Sequence, residues 1–174
     1  SELTGTTVTF LPDPTIFKVT EYKYDTIEAR LKELSFLNKG ISLSLTDRRE
    51  KDENGNHPKE VFLSKGGLKE FVQYLDNTRT PLIPEPIVVE GARDQVMVEI
   101  ALQYNTAYNE NVHSYVNNIN TLEGGTHVSG FRRAITRVFK AYAEKNNMFS
   151  KIDFEITGDD FREGLTAIIS VKVQ

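Results

Sequence analysis

NVHSYVNNINTLEGGTHVSGFRRAITRVFKAY, from Asn111 to Tyr142, changes its character halfway. Its first part, NVHSYVNNI, reads as a strand. Past Thr126, a predicted N-cap, apolar residues recur at helical spacing: Val128, Phe131, Ile135, Val138, Phe139 and Tyr142. At roughly 100° per residue they fall in one arc about 100° wide, the stripe by which a surface helix meets a core. A strand therefore runs into a long amphipathic helix, and the elements on either side decide the class.

Towards the N-terminus, IVVEG and QVMVEIALQY read as two more strands; Val96, Val98, Ile100 and Leu102 alternate in the second, so one face is buried. GGLKEFVQYLDN predicts a short helix with Leu68, Phe71, Val72 and Leu75 on one side, broken by TPLIPEP. ISLSLTD and EVFLS predict a hairpin whose charged tip, RREKDENGNHPKE, contains Asn-Gly and Pro. YDTIEARLKELSFLNKG predicts a helix on Ile27, Leu31, Leu34 and Leu37, with Asp25 or Thr26 as N-cap and Gly40 past its end. TTVTFL predicts a first strand, followed by the proline turn PDPTIF. Beyond Tyr142, FSKIDFEI predicts a connecting strand, TGDDFREG a turn, and LTAIISVKV a last, largely buried strand. Antiparallel strand runs with helices inserted between them argue an α+β domain, with helices packed on one face of a sheet.

Composition narrows the function. A chain of 174 residues suits one domain and buries roughly 70% of its unfolded surface. With 39% hydrophobic and 26% charged residues it is an ordinary globular composition. No apolar run approaches the ~20 residues of a membrane span, and the first ten residues have no signal-peptide pattern. The absence of cysteine removes disulfides, thiolate catalysis and cysteine–zinc sites. The chain opens at Ser1 without methionine and stops one residue after a strongly apolar strand. Both ends suggest a piece of a larger protein.

Charge is segregated. His127–Asn147 holds five Lys/Arg against one Glu, a local charge of +4 in a chain of −4, so the remainder carries −8. Arg133, Arg137 and Lys140 cluster opposite the apolar arc, and Arg132 lies at its border. Two readings stand: a solvated helix face, or a surface that supplies phosphate contacts to DNA. The exposed residues of this helix include no Asn or Gln before Asn146, so the second reading is of a backbone reader. Gly124-Gly125 is either a flexible turn or a phosphate-binding helix start, though without the lysine-serine ending of a P-loop. Asp159, Asp160 and Glu163 either cap a short helix, with Arg162 as a partner, or do acid/base or Mg²⁺ work. His57, His113 and His127 lack partners at metal-ligand spacing. No nucleophile elbow, catalytic cysteine or dinucleotide fingerprint is present.

GTTVTFLPDPTIF, RLKELSFLNKGISLSLTDRR, YVNNINTLEGGTHVSGFRRAITR and TGDDFREGLTAIISVKV together resemble the second, transducer domain of the DNA gyrase B family. The resemblance spans essentially the whole chain, 1–174. The topoisomerase IV counterparts share the first and third motifs, and the GDDFREGLTAIISVKV ending is closer to gyrase. The resemblance implies a ribosomal-protein-like, two-layer α+β domain with a mostly antiparallel sheet and a left-handed βαβ crossover, an exception to the usual hand. It implies a part of a type IIA topoisomerase that relays ATP binding and hydrolysis to DNA strand passage and supercoiling. An ATPase domain would precede it and a metal-binding DNA-cleavage domain would follow. ATP and Mg²⁺ would belong to the full-length enzyme. A glutamine-threonine-lysine loop that senses the γ-phosphate would lie beyond Gln174, so no catalytic, cofactor or metal residue is expected here and this segment alone should be inactive. The implied partners are DNA, the ATPase domain, a second copy of the gyrase B chain and a gyrase A-type chain. The implied setting is the bacterial cytoplasm, with the nucleoid. By match to the family's motif, Arg132 would line the cavity through which DNA passes; Arg133, Arg137 and Lys140 join it from the helical projection. A different class remains: an interaction-only second domain of the mismatch-repair or chaperone-type ATPases, which would lack GDDFREGL and LSFLNKG.

Overall fold

The computed structural model describes residues 4–150 and 152–174. Three α-helices and seven strands follow one another in it: α1 (Tyr24–Leu37), β1 (Ser42–Thr46), β2 (Lys59–Leu63), α2 (Leu68–Leu75), β3 (Ile87–Arg93), β4 (Val96–Tyr104), β5 (Asn111–Val116), β6 (Ile119–Asn120), α3 (Thr126–Lys145), a 3₁₀ turn (Asp160–Arg162) and β7 (Leu165–Lys172). The class is α+β and the sheets are mostly antiparallel. β1 and β2 form a separate hairpin, Thr46 facing Lys59, around the expected exposed tip.

The main sheet has the order β3-β4-β7-β5-β6. Its centre is the last strand in sequence. β7 pairs antiparallel with β4, Ile168 opposite Ala101, and parallel with β5, Ile168 opposite His113. A parallel pair needs a crossover, and α3 supplies it between β5 and β7. Both faces of β7 are covered, so it reads as a continuous apolar run and every residue from Leu165 to Val171 is buried.

Helices pack on both faces, which corrects the expectation of a two-layer domain with helices on one side. Leu165, Ala167, Ile169 and Val171 meet Val128, Phe131 and Ile135 of α3. The alternate residue Ile168, with Ala101 and Tyr115, meets Leu37 at the end of α1 and Leu68, Phe71 and Val72 of α2. The arrangement has three layers. The sequence of β7 hides this, because a strand buried on both sides shows no alternation.

Three further expectations change. TTVTFL forms no strand: from Thr4 to Tyr22 the chain is irregular, with Val8, Phe10 and Leu11 exposed, because no strand of the described residues lies alongside to pair with it. In FSKIDFEI, Lys151 lies outside the described residues and the others form no strand. On α3, Val138 and Tyr142 are 58% and 62% exposed. The buried stripe instead follows the i+4 row Phe131–Ile135–Phe139–Ala143, with Phe139 half-buried. Such a row winds around the helix axis, so the contact drifts away from the straight arc and leaves Val138 and Tyr142 behind.

Candidate functional site

All four cationic residues singled out in the sequence border one open cleft of about 640 Å³: Arg132, Arg133, Arg137 and Lys140. The floor is α3 itself. Ser129, Arg132, Arg133, Thr136, Arg137 and Lys140 are spaced by three and four residues, which stacks them on one side of a helix. The other side is anchored by Val128, Phe131 and Ile135 in the core, so the cations point away from the sheet.

The far wall is the 158–162 turn, which sequence reasoning did not place there. Gly158 and Arg162 line it. Aromatic packing brings the turn to α3: Phe139 lies 6.0 Å from the Tyr104 ring and 6.2 Å from the Phe161 ring. The Tyr104 hydroxyl donates to the Phe161 carbonyl at 2.5 Å, and burial pushes its pKa up to about 12. Gly164, at φ +70°, then turns the chain into β7; a Cβ there would lie 2.5 Å from the Asn105 carbonyl oxygen. A non-glycine residue at that place would be strained and obstructed at once.

Arg162 is held on three sides. Its Nη1 donates to Thr136 Oγ1 at 3.0 Å, its Nη2 pairs with Asp159, and its Nε lies 3.5 Å from Glu110 Oε1. That last approach is an ion-pair contact only, since the buried Nε makes no hydrogen bond. The same oxygen of Glu110 accepts from Arg132 Nε at 2.9 Å. Among the described residues Arg133 donates only to the Ser129 carbonyl of its own helix, at 3.3 Å. Among the described residues no ion pair engages Arg133, Arg137 or Lys140. Five cations thus border the cleft, and among the described residues only Arg132 and Arg162 are paired. The exposed ones keep guanidinium and ammonium donors directed to solvent.

The other sequence candidates have local roles. Asp160 accepts from the Thr157 N–H and hydroxyl, both at 2.7 Å, and the N–H bond is the main reason its carboxyl titrates below the usual range. Asp159 pairs with Arg162. Glu163 is exposed just past the turn. Asp159 thus takes the salt-bridge role, while among the described residues no side chain caps the 3₁₀ turn. His113 on β5 sits 3.1 Å from Asn111 Oδ1, and burial lowers its pKa; His57 contacts the Glu50 carbonyl oxygen at 2.8 Å. His127 closes over the start of α3: its ring stands 3.1 Å from Thr121 Oγ1 and 2.8 Å from where a Gly125 Cβ would be. Gly125 therefore lies against an imidazole, whereas a Cβ at Gly124 would meet open space. Among the described residues no three His, Asp or Glu gather where a metal ion would fit, and no helix is long and apolar enough to cross a membrane.

Ser129 and Thr136 share the helical period of the cations, but the sequence did not single them out. Glu110 and Arg162 were not legible as parts of this cleft, because they reach α3 only through the fold.

Comparison with known proteins gives a consistent result. A family model described as DNA gyrase B matches residues 67–174. The chain is 65% identical over 173 residues to the DNA gyrase B protein of Eisenibacter elegans, covering 99% of this chain and 36% of that protein. Against the DNA gyrase B protein of Cytophaga hutchinsonii the identity is 62%, over 100% of this chain and 36% of the other. The fold is similar to the crystal structure of the 43K ATPase domain of Thermus thermophilus gyrase B in complex with an aminocoumarin. That match has a TM-score of 0.79 at 35% identity and covers 94% of this chain and 43% of the other. The chain thus spans about a third of the length of the curated relatives it matches.

Proposed function

The chain belongs to the DNA gyrase B family, and from that premise we propose that it is the transducer segment of an ATP-dependent type IIA DNA topoisomerase. In this reading the segment relays ATP binding and hydrolysis to strand passage and supercoiling, and its α3 face lines the cavity that a DNA duplex traverses. The observation that carries it is the cleft in which Arg132, Arg133, Arg137 and Lys140 converge while the opposite side of α3 is buried. The helix is held by its apolar row and is free to present its charge outward. Exposed Lys and Arg on one face supply the sequence-independent phosphate term that a passing duplex of any sequence requires.

ATP and Mg²⁺ act elsewhere in the full-length enzyme; this segment contributes the lever and the charged wall, and by itself it hydrolyses nothing. Its partners are DNA, the ATPase domain, a second copy of the gyrase B chain and a gyrase A-type chain, in the bacterial cytoplasm at the nucleoid.

The test is DNA-stimulated ATP hydrolysis by the full-length protein carrying Arg132→Gln or Arg137→Gln, over several salt concentrations. Exposed charges contribute under ~1 kcal/mol to stability, so the variants should fold normally. Their stimulation should need more DNA and depend less steeply on salt, because fewer phosphate contacts release fewer counterions. Stimulation equal to wild type at every salt concentration would show that α3 is merely a solvated face.

A further inference from the structure

The contacts around the cleft close into a ring. α3 carries both Arg132 and Thr136. Thr136 accepts from Arg162, Arg162 faces Glu110, and Glu110 accepts from Arg132. Three separate elements meet in it: α3, the residue just before β5, and the turn before β7. Within the ring the two arginines differ. Arg162 has a side chain only 14% exposed and is held by Thr136 and Asp159 as well. Arg132 is 44% exposed, and its one bond to another residue is the one from Nε to Glu110. Both of its Nη groups are left without a partner among the described residues.

We propose that Glu110 is a positioning residue for Arg132. Resting on the DNA-facing reading of α3, it assigns the carboxylate an orienting role at the phosphate contact. Arg162, clamped by Thr136 and Asp159, fixes the Glu110 carboxylate by its charge. The fixed carboxylate takes the Nε donor of Arg132 and so sets the plane of the guanidinium, with the two Nη groups turned outward as a fork for a phosphate. An arginine carries long-chain rotamer freedom that must be lost when it grips a ligand. Holding it at Nε removes part of that loss beforehand.

The opposing effect is plain repulsion: a carboxylate in a cation-lined cleft also disfavours phosphate. Removing Arg132 separates the two, because repulsion acts on a phosphate with or without that guanidinium. Repulsion between exposed charges is screened, with a Debye length of about 8 Å at 0.15 M ionic strength. Orientation through a short hydrogen bond is not screened in this way.

The experiment measures, in the full-length protein, the concentration of linear duplex that half-maximally stimulates ATP hydrolysis. Wild type, Glu110→Ala, Arg132→Gln and the double variant are compared at about 0.15 M salt. Glu110→Ala should need about threefold more DNA than wild type, the size of effect an exposed ion pair can transmit. In the Arg132→Gln background the same change should cost nothing or improve binding, since only repulsion is then removed. A purely structural role would weaken both backgrounds alike, and that outcome overturns the proposal. So does Glu110→Ala binding as tightly as wild type at this salt. If Arg132→Gln itself leaves DNA stimulation unchanged, the DNA-facing reading of α3 fails and the proposal with it; if Arg132→Gln is impaired and Glu110→Ala is not, only the proposal fails.

Discussion

TTVTFL (6–11) and LTAIISV (165–171) look alike as sequence: both are short, β-branched and apolar. One is the central strand of a five-stranded sheet with every residue buried. The other is irregular, with Leu11 90% exposed. The difference lies in their neighbours. β7 has β4 on one side, β5 on the other, α3 over one face and α1 with α2 under the other. Residues 6–11 have no strand of the described residues alongside. Composition proposes a strand, and partners make it one, because an unpaired backbone gains nothing from an extended conformation that water does not already supply.

The largest test of that contrast is Ile168→Ala against Val8→Ala. Ile168 is wholly buried between β4, β5 and the α1–α2 layer, with backbone pairs on both sides. Its truncation should cost about 4 kcal/mol, in the upper part of the range for removing most of a core side chain that neighbours cannot refill. Val8→Ala should change stability by less than about 0.5 kcal/mol, as at an ordinary surface position. Urea denaturation of both variants gives the two numbers. A cost above ~1 kcal/mol at Val8 would mean that residues 6–11 pack in solution, and the contrast would break.

The same contrast can be drawn within α3. Phe131 belongs to the buried i+4 row, whereas Val138, on the same ideal arc, is exposed. Phe131→Ala should cost about 3 kcal/mol, the low end for a phenylalanine because the ring sits at the margin of the core. Val138→Ala should cost nothing or stabilise by up to ~0.5 kcal/mol, since alanine is the better helix former. Equal losses at both positions would restore the straight arc and displace the row.

These pairs show what the sequence could reveal. α1, α2, the β1–β2 hairpin, β3, β4, β5 and α3 were legible because each carries its own period or turn chemistry, and β7 because it is a short β-branched apolar run bounded by a turn. The second helical layer was not, since a strand covered on both faces loses the alternation that would have betrayed it. At the cleft, Arg132, Arg133, Arg137 and Lys140 were legible from one helix. Arg162 has a local signal only as a partner for its acidic neighbours, and Glu110 has none. Their place beside α3 depends on Phe139, Tyr104 and Phe161 packing together, a contact between three distant segments.

The smallest expected effect concerns a region that has structure of its own without partners in the core. Between Thr46 and Lys59 the chain is mostly exposed, and its hydrogen bonds are largely internal: the N–H groups of Asn54 and Asn56 donate to the Asp52 carboxylate at 2.9 and 2.8 Å. Among the described residues one bond leaves it, from Arg49 Nη1 to the Tyr22 carbonyl at 2.7 Å. Arg49 also pairs with Asp47, whose carboxyl is held at about 2 by that side-chain hydrogen bond. Replacing Arg48–Pro58 by Asn-Gly-Thr would remove these exposed contacts, which contribute under ~1 kcal/mol, and would supply the N–H that Pro58 lacks after the turn. It would also shorten the loop severalfold, and each halving returns about 0.6 kcal/mol of closure entropy. Asn-Gly suits the two-residue turn that joins antiparallel strands, so the Thr46–Lys59 register is kept. The two effects oppose each other, and the unfolding free energy should shift by less than about 1 kcal/mol in either direction. A loss above ~2 kcal/mol would mean that the bond from Arg49 to Tyr22 anchors the irregular 4–22 segment to the domain, and that this segment has a partner after all.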